Sequence, residues 1–144
     1  MKRMIIAATL MLVALSSAVA DDKPITFDKM PQAAQNFVKT NYPDVEVALT
    51  TVDDDIVNPE YKVALVNGVV IEFKNDGRLE SIKTRTGNIP EGIVPVQIIK
   101  EVKRHYPEAK VTEYEIDRRG YEVKLSNRME LKFNSSFKLV EIDD

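Results

Sequence analysis

The side chains in this sequence that could do chemistry are mostly carboxylates, and they crowd at one place. Asp53-Asp54-Asp55, followed by Asn58 and Glu60, sets five oxygen-bearing side chains within eight residues. Hard cations such as calcium take roughly six to eight oxygen ligands, so a dense acidic loop is of the right chemical type. The spacing lacks the alternating ligands and central glycine of an EF-hand, and acidic turns are commonly just solvated. Calcium at Asp53, Asp54 and Asp55 is therefore an expectation resting on residue type alone, and no other cofactor is expected. His105 is the single histidine. A serine-histidine or two-histidine site has no second imidazole to draw on, and at the end of a helix His105 would interact with the helix carboxyl end. The absence of cysteine removes thiol nucleophiles, disulfides and thiolate metal sites. No glycine-rich loop leads from a strand into a helix, so there is no phosphate cradle. No carboxylate sits in an apolar motif that would raise its pKa for acid catalysis. The expectation is a protein that is not an enzyme.

Composition narrows the partners. With 44% hydrophobic and 30% charged residues the chain is globular in type. Its net charge of -3, from 20 basic and 23 acidic residues, argues against a surface that tracks nucleic-acid phosphates. Lys2 and Arg3 precede an apolar run from Met4 to Leu15, and Ser16-Ser17-Ala18-Val19-Ala20 supplies the small residues that a signal peptidase reads. Residues 1–20 are thus expected to be a signal peptide cleaved after Ala20, leaving no membrane span. Cleavage removes two positive charges and takes the net charge from -3 to -5.

The elements that must position these residues repeat. Pro31 aligns with Pro95 and Tyr42-Pro43 with Tyr106-Pro107 at an offset of 64. After a loop four residues longer in the first copy, Tyr61-Lys62-Val63-Ala64-Leu65 aligns with Tyr121-Glu122-Val123-Lys124-Leu125, and Ile71-Glu72-Phe73 with Leu131-Lys132-Phe133. Agreement of type, order and spacing over this length indicates an internal duplication. Each copy should begin with a helix whose first residue is proline, and Pro43 and Pro107 should stop both helices. Ala34, Phe37, Val38 and Tyr42 form the apolar stripe of the first helix, and Ile98, Val102 and Tyr106 that of the second.

Four strand-like runs follow each helix. They are Val45 to Val52, Tyr61 to Val66, Val69 to Lys74 and Leu79 to Thr84, then Lys110 to Ile116, Tyr121 to Ser126, Met129 to Asn134 and Lys138 to Ile142. Asn67-Gly68 marks a tight hairpin, and Asn75-Asp76-Gly77 a second. The expected fold class is α+β, with two tandem helix-plus-four-stranded antiparallel repeats at 21–89 and 90–144. Units this small are marginal alone, so they should share one core or a continuous sheet.

Alternation assigns the two faces of the sheet. Tyr61, Val63, Leu65, Val69, Ile71 and Phe73 point one way in the first copy, as do Tyr121, Val123, Leu125, Met129, Leu131 and Phe133 in the second, and these should lie beneath the helices. The other face carries Glu122, Lys124, Ser126, Glu130 and Lys132 in the second copy, an ordinary solvated surface. In the first copy it carries Lys62, Ala64, Val66, Val70, Glu72 and Lys74. This half is less polar and is the expected partner site, although Val66 and Val70 could equally pad the sheet or touch the other copy.

The signal segment, the duplicated helix ending in Tyr-Pro, the Tyr-x-Val-x-Leu strand, Asn67-Gly68, and Ile71-Glu72-Phe73 leading to Asp76-Gly77 together resemble the PepSY-like periplasmic proteins. That family is related in architecture to the β-lactamase inhibitor protein, whose open sheet face grips its enzyme. The second copy departs from the pattern, with Asn127-Arg128 in place of Asn-Gly and Ser136-Phe137 in place of Asp-Gly. The resemblance implies two helix-plus-four-strand modules, a periplasmic location, no enzymatic activity, and binding or inhibition of another exported protein through the sheet. A calcium-responsive structural or sensor protein is the first rival reading, and a carrier of a small apolar ligand the second.

Overall fold

The computed structural model describes residues 22–53 and 57–144. The expected signal peptide lies outside the described residues, as do Asp54 and Asp55 of the acidic loop. Strand β1 (Asp22–Ile25) opens the described chain, and a single 3-10 turn (Phe27–Lys29) leads into helix α1 (Gln32–Asn41). Strands β2 (Val47–Asp53), β3 (Tyr61–Leu65), β4 (Val69–Phe73) and β5 (Leu79–Thr84) follow. Helix α2 (Val96–His105) comes next, then β6 (Val111–Ile116), β7 (Gly120–Leu125), β8 (Glu130–Asn134) and β9 (Leu139–Asp143).

All nine strands form one antiparallel sheet in sequence order. The continuous sheet is one of the two arrangements expected from sequence, and it departs from the expected strands at one edge. The halves are joined edge to edge, because β5 pairs with β6 at Ser81↔Glu115, Ile82↔Tyr114 and Lys83↔Glu113. A ninth strand, β1, is added at the open edge of β2. It escapes a reading by alternation because it is four residues long and contains Pro24, a residue that sheets tolerate at an edge where no N-H is demanded.

The prolines stand one residue earlier than expected. Pro31 and Pro95 precede the helices in extended conformation, with φ -52 for both, and their carbonyls accept the first helical N-H bonds from Ala34 and Gln35 and from Ile98 and Ile99. Tyr42 and Tyr106 cap the other ends, their N-H groups bonded to the carbonyls of Val38 and Val102. His105 pairs along the helix with Glu101, Nε2 to Oε2 at 3.4 Å.

Both helices cover the same face of the sheet. Ala34, Val38, Ile98 and Val102 are buried there against Val63, Ile71, Phe73, Val123, Leu131 and Phe133. The Phe37 ring meets Phe73 edge-on with centroids 5.6 Å apart. In the second half Tyr121 stacks between Tyr114 and Phe137, at 6.3 and 4.8 Å.

The turns set the register. Asn67-Gly68 belongs to a three-residue loop, not a two-residue turn: the Gly68 N-H bonds to the Leu65 carbonyl, and Gly68 takes the left-handed conformation at φ 91. Gly77 does the same at φ 87. In the second half Arg128 and Phe137 occupy these positions at φ 72 and 64 without the freedom of glycine.

Candidate functional site

With both helices on one face, the other face of the sheet is open, and the ladder fixes which residues it presents. One row crosses all nine strands: Pro24, Thr51, Lys62, Glu72, Ser81, Glu115, Glu122, Lys132 and Glu141. The next row runs Leu49, Ala64, Val70, Lys83, Glu113, Lys124, Glu130 and Asp143. The second row is apolar across β2–β4 and charged from β5 onward.

Much of the charged half is paired within itself, although Glu115 and Glu122 stand opposite each other as like charges. Lys124 reaches Glu113 at 3.8 Å and Glu130 at 3.5 Å, and Lys132 reaches Glu141 at 3.4 Å. The carboxylates beside Lys124 raise its pKa, Glu113 most, and the hydrogen bond to Glu141 raises that of Lys132. Burial pushes the Glu122 carboxyl up, assisted by its contact with Glu130. Opposite charges paired across strands in this way make a stable solvated surface with little left to offer a partner.

The first half is different in kind. Ala64 and Val70 face each other across β3 and β4, flanked by Leu49, which is 50% exposed, and by Val66, 60% exposed at the start of the hairpin. Lys62 lies opposite Glu72, with Nζ 3.9 Å from that carboxylate and 3.6 Å from Asp22 on β1. Lys74 stands apart from the other predicted residues. It follows β4 and lines a hollow at the end of the sheet with Asn58, Glu60, Glu80 and Glu115. Sequence reasoning missed Pro24, Leu49, Thr51 and Asp22. Leu49 was not legible, since alternation from Val45 and Val47 puts it on the inner face and only the register shift between Val47 and Leu49 brings it opposite Ala64, and the two β1 residues depend on a strand that the pattern did not reveal.

At the end of the sheet the acidic residues are partly organised. The Asp53 carboxylate accepts the N-H of Glu60 at 3.0 Å, and the Asn75 amide donates to Asn58 at 3.4 Å. Glu80 turns toward Glu60, and burial followed by the Glu60 charge raises its pKa. Its Oε2 is buried without a donor. Among the described residues no three carboxylate or imidazole groups come together as a metal-binding group. No described helix is long and apolar enough to cross a membrane.

Comparison with known proteins agrees with this architecture. A family profile described as "Putative beta-lactamase-inhibitor-like, PepSY-like" matches residues 19–58 and 59–141. Among curated proteins no significant match is found. Of solved structures, a "putative calcium-regulated periplasmic protein" of Bacteroides thetaiotaomicron is 43% identical with a TM-score of 0.82, over 85% of this chain and 97% of that one. A "putative periplasmic protein" of the DUF2874 family from Bacteroides vulgatus is 40% identical with a TM-score of 0.82, over 86% and 98% of the two chains. Another Bacteroides vulgatus periplasmic protein, of unknown function, is 26% identical with a TM-score of 0.80, over 85% and 99%.

Proposed function

The chain belongs to the PepSY-like, beta-lactamase-inhibitor-like family, and on that premise we propose that it is a periplasmic, non-enzymatic binding module that presents the outer face of its sheet to another exported protein. We read α1 with β2–β5 and α2 with β6–β9 as two copies of one unit, 21–89 and 90–144, of which only the first has kept a face suited to a partner. The observation that carries this reading is the unequal outer face. Leu49, Ala64 and Val70 form an apolar row, half-buried at Ala64 and Val70, with Val66 exposed in the hairpin beside it, while Glu113, Lys124 and Glu130 at the positions matching that row in the second half are joined by ion pairs. An interface takes its energy from a desolvated centre and its selectivity from a charged rim. The neighbours described as periplasmic support the location. Inhibition of an exported enzyme is one form this binding can take, as in the β-lactamase inhibitor protein that the family resembles.

The test is affinity capture from a periplasmic extract with the protein and with a Val66→Lys, Val70→Lys double variant as bait. The double variant is expected to lose the captured protein while staying within about 1 kcal/mol of the parent's stability, since Val70 lies on the outer face and Val66 is exposed in the hairpin. Retention of the partner by a folded variant would move the site elsewhere.

A second reading, a calcium-responsive protein, is favoured by the description of the Bacteroides thetaiotaomicron relative and by the oxygen donors Asp53, Asn58 and Glu60 at one end of the sheet. Calcium bound there with Asp54 and Asp55 would raise the melting temperature by mass action. Asp53→Asn with Asp55→Asn should remove that rise, and an unchanged melting temperature in millimolar calcium would retire the reading.

A further inference from the structure

Within the open face, β1 converts a flat sheet surface into a shaped one. Where β1 lies beside β2, Pro24, Leu49 and Ala64 wall a hollow of about 310 Å³ whose floor is almost wholly apolar. Directly along the strands lies a smaller hollow of about 80 Å³, lined by Asp53, Glu60 and Glu72. The two share Asp22, Thr51 and Lys62, so they form one cleft with an apolar end and an acidic end. The Asp22–Lys62 ion pair at 3.6 Å is the divider. Among the described residues lining either hollow its lysine, which also lies 3.9 Å from Glu72, is the one cation, set against the carboxylates of Asp22, Glu60 and Glu72. The acidic end therefore carries an excess of negative charge beside a surface that gains by being covered with hydrocarbon.

From this juxtaposition we infer that the cleft takes an extended segment of a protein partner in which a large apolar side chain and a lysine or arginine lie two residues apart. The inference rests on the outer-face reading and names what that face accepts. Side chains two apart on an extended strand share a side at about 7 Å, the distance along β2 from one outward residue to the next. The apolar side chain fills the hollow at Leu49 and Ala64, and the cation reaches Glu60 and Glu72, where a planar guanidinium engages two carboxylates at once. A segment carrying glutamate in place of the cation brings a further carboxylate against these and is rejected.

Methyl- and amide-labelled protein titrated with three blocked heptapeptides tests the inference by NMR. The peptides are identical apart from two positions, which carry leucine and arginine, leucine and glutamate, or serine and arginine. The leucine–arginine peptide is expected to shift the Leu49 and Ala64 methyl signals together with the Asp53 and Glu60 amides, and to bind at least tenfold more tightly than either control. Glu60→Gln with Glu72→Gln should erase the preference for arginine over glutamate, and Leu49→Ser the preference for leucine over serine. Equal binding of the three peptides, or shifts confined to other strands, would overturn the cleft. Should any variant fail to give a folded spectrum, the comparison of peptides on the unaltered protein still decides. If the peptides do not discriminate but the Val66, Val70 double lysine variant loses its captured partner, the inference falls and the outer-face reading stands. If they discriminate as expected and that variant keeps its partner, the cleft stands and the reading built on the two valines falls.

Discussion

Glu80 shows how a single side chain sets a pH response. Burial and the Glu60 carboxylate raise its pKa above the ordinary 4.5, so the folded protein holds a proton that the unfolded chain has released. In that window stability falls as pH rises, because the native state binds more protons than the unfolded state. Glu80→Gln should therefore raise the melting temperature at pH 7 and have a smaller effect near pH 5, as followed by thermal unfolding at the two values. An equal effect at both would show that the ionised carboxylate carries no penalty. Two backbone positions make opposite predictions. A Cβ on Gly120 would stand 2.1 Å from the Phe133 carbonyl oxygen, inside a turn where Asp117 Oδ1 accepts the N-H groups of Arg119 and Gly120. Gly120→Ala must displace β8 and should cost more than about 3 kcal/mol. Arg128 pays for a left-handed conformation that its counterpart Gly68 adopts freely, so Arg128→Gly should gain up to about 1 kcal/mol in denaturant unfolding. Phe137→Gly should lose stability instead, since the Phe137 ring stacks on Tyr121 at 4.8 Å.

At the scale of the element, the clear patterns are the ones carried by side-chain period. Strict alternation in Tyr61–Leu65 and Val69–Phe73 assigns both faces, and Val63, Ile71 and Phe73 are buried where the pattern puts them. Phe73 and Phe133 are matched inward aromatics, 0% and 2% exposed. Phe73→Ala and Phe133→Ala should each cost about 3 to 5 kcal/mol by equilibrium unfolding, the range for emptying a buried aromatic site. A cost below about 1 kcal/mol at either would contradict its burial. Features that depend on pairing instead of period were not legible. Strand β1 has too few residues for alternation to register, and it exists because β2 offers an open edge. The bulges between Glu72 and Phe73 and between Lys132 and Phe133 are likewise properties of two strands together. Gly120 carries no sequence signal either, since its requirement comes from the approach of Phe133 from another strand.

For the whole molecule, the junction of β5 with β6 is decisive. A continuous sheet under a shared core makes separate unfolding of the halves costly, so calorimetry should give one transition with equal calorimetric and van't Hoff enthalpies. Two transitions would separate the halves energetically. The same continuity explains how much of the candidate site could be read from sequence. Lys62, Ala64, Val70 and Glu72 follow from alternation within β3 and β4. Leu49, Pro24 and Asp22 join them only through the lateral order of the strands, and that order gives the face its shaped cleft. On the proposed reading a protein partner covers the outer face of the first half. Methyl cross-saturation NMR on the labelled protein bound to its captured, unlabelled partner addresses it most directly, because methyl groups on the two faces of one strand report separately. Leu49, Ala64, Val66 and Val70 should be attenuated, with Val140 on β9 and Val96 on α2, both 61% exposed, left unchanged. Attenuation at Val96 or Val140 without attenuation at Leu49 and Val70 would contradict that reading.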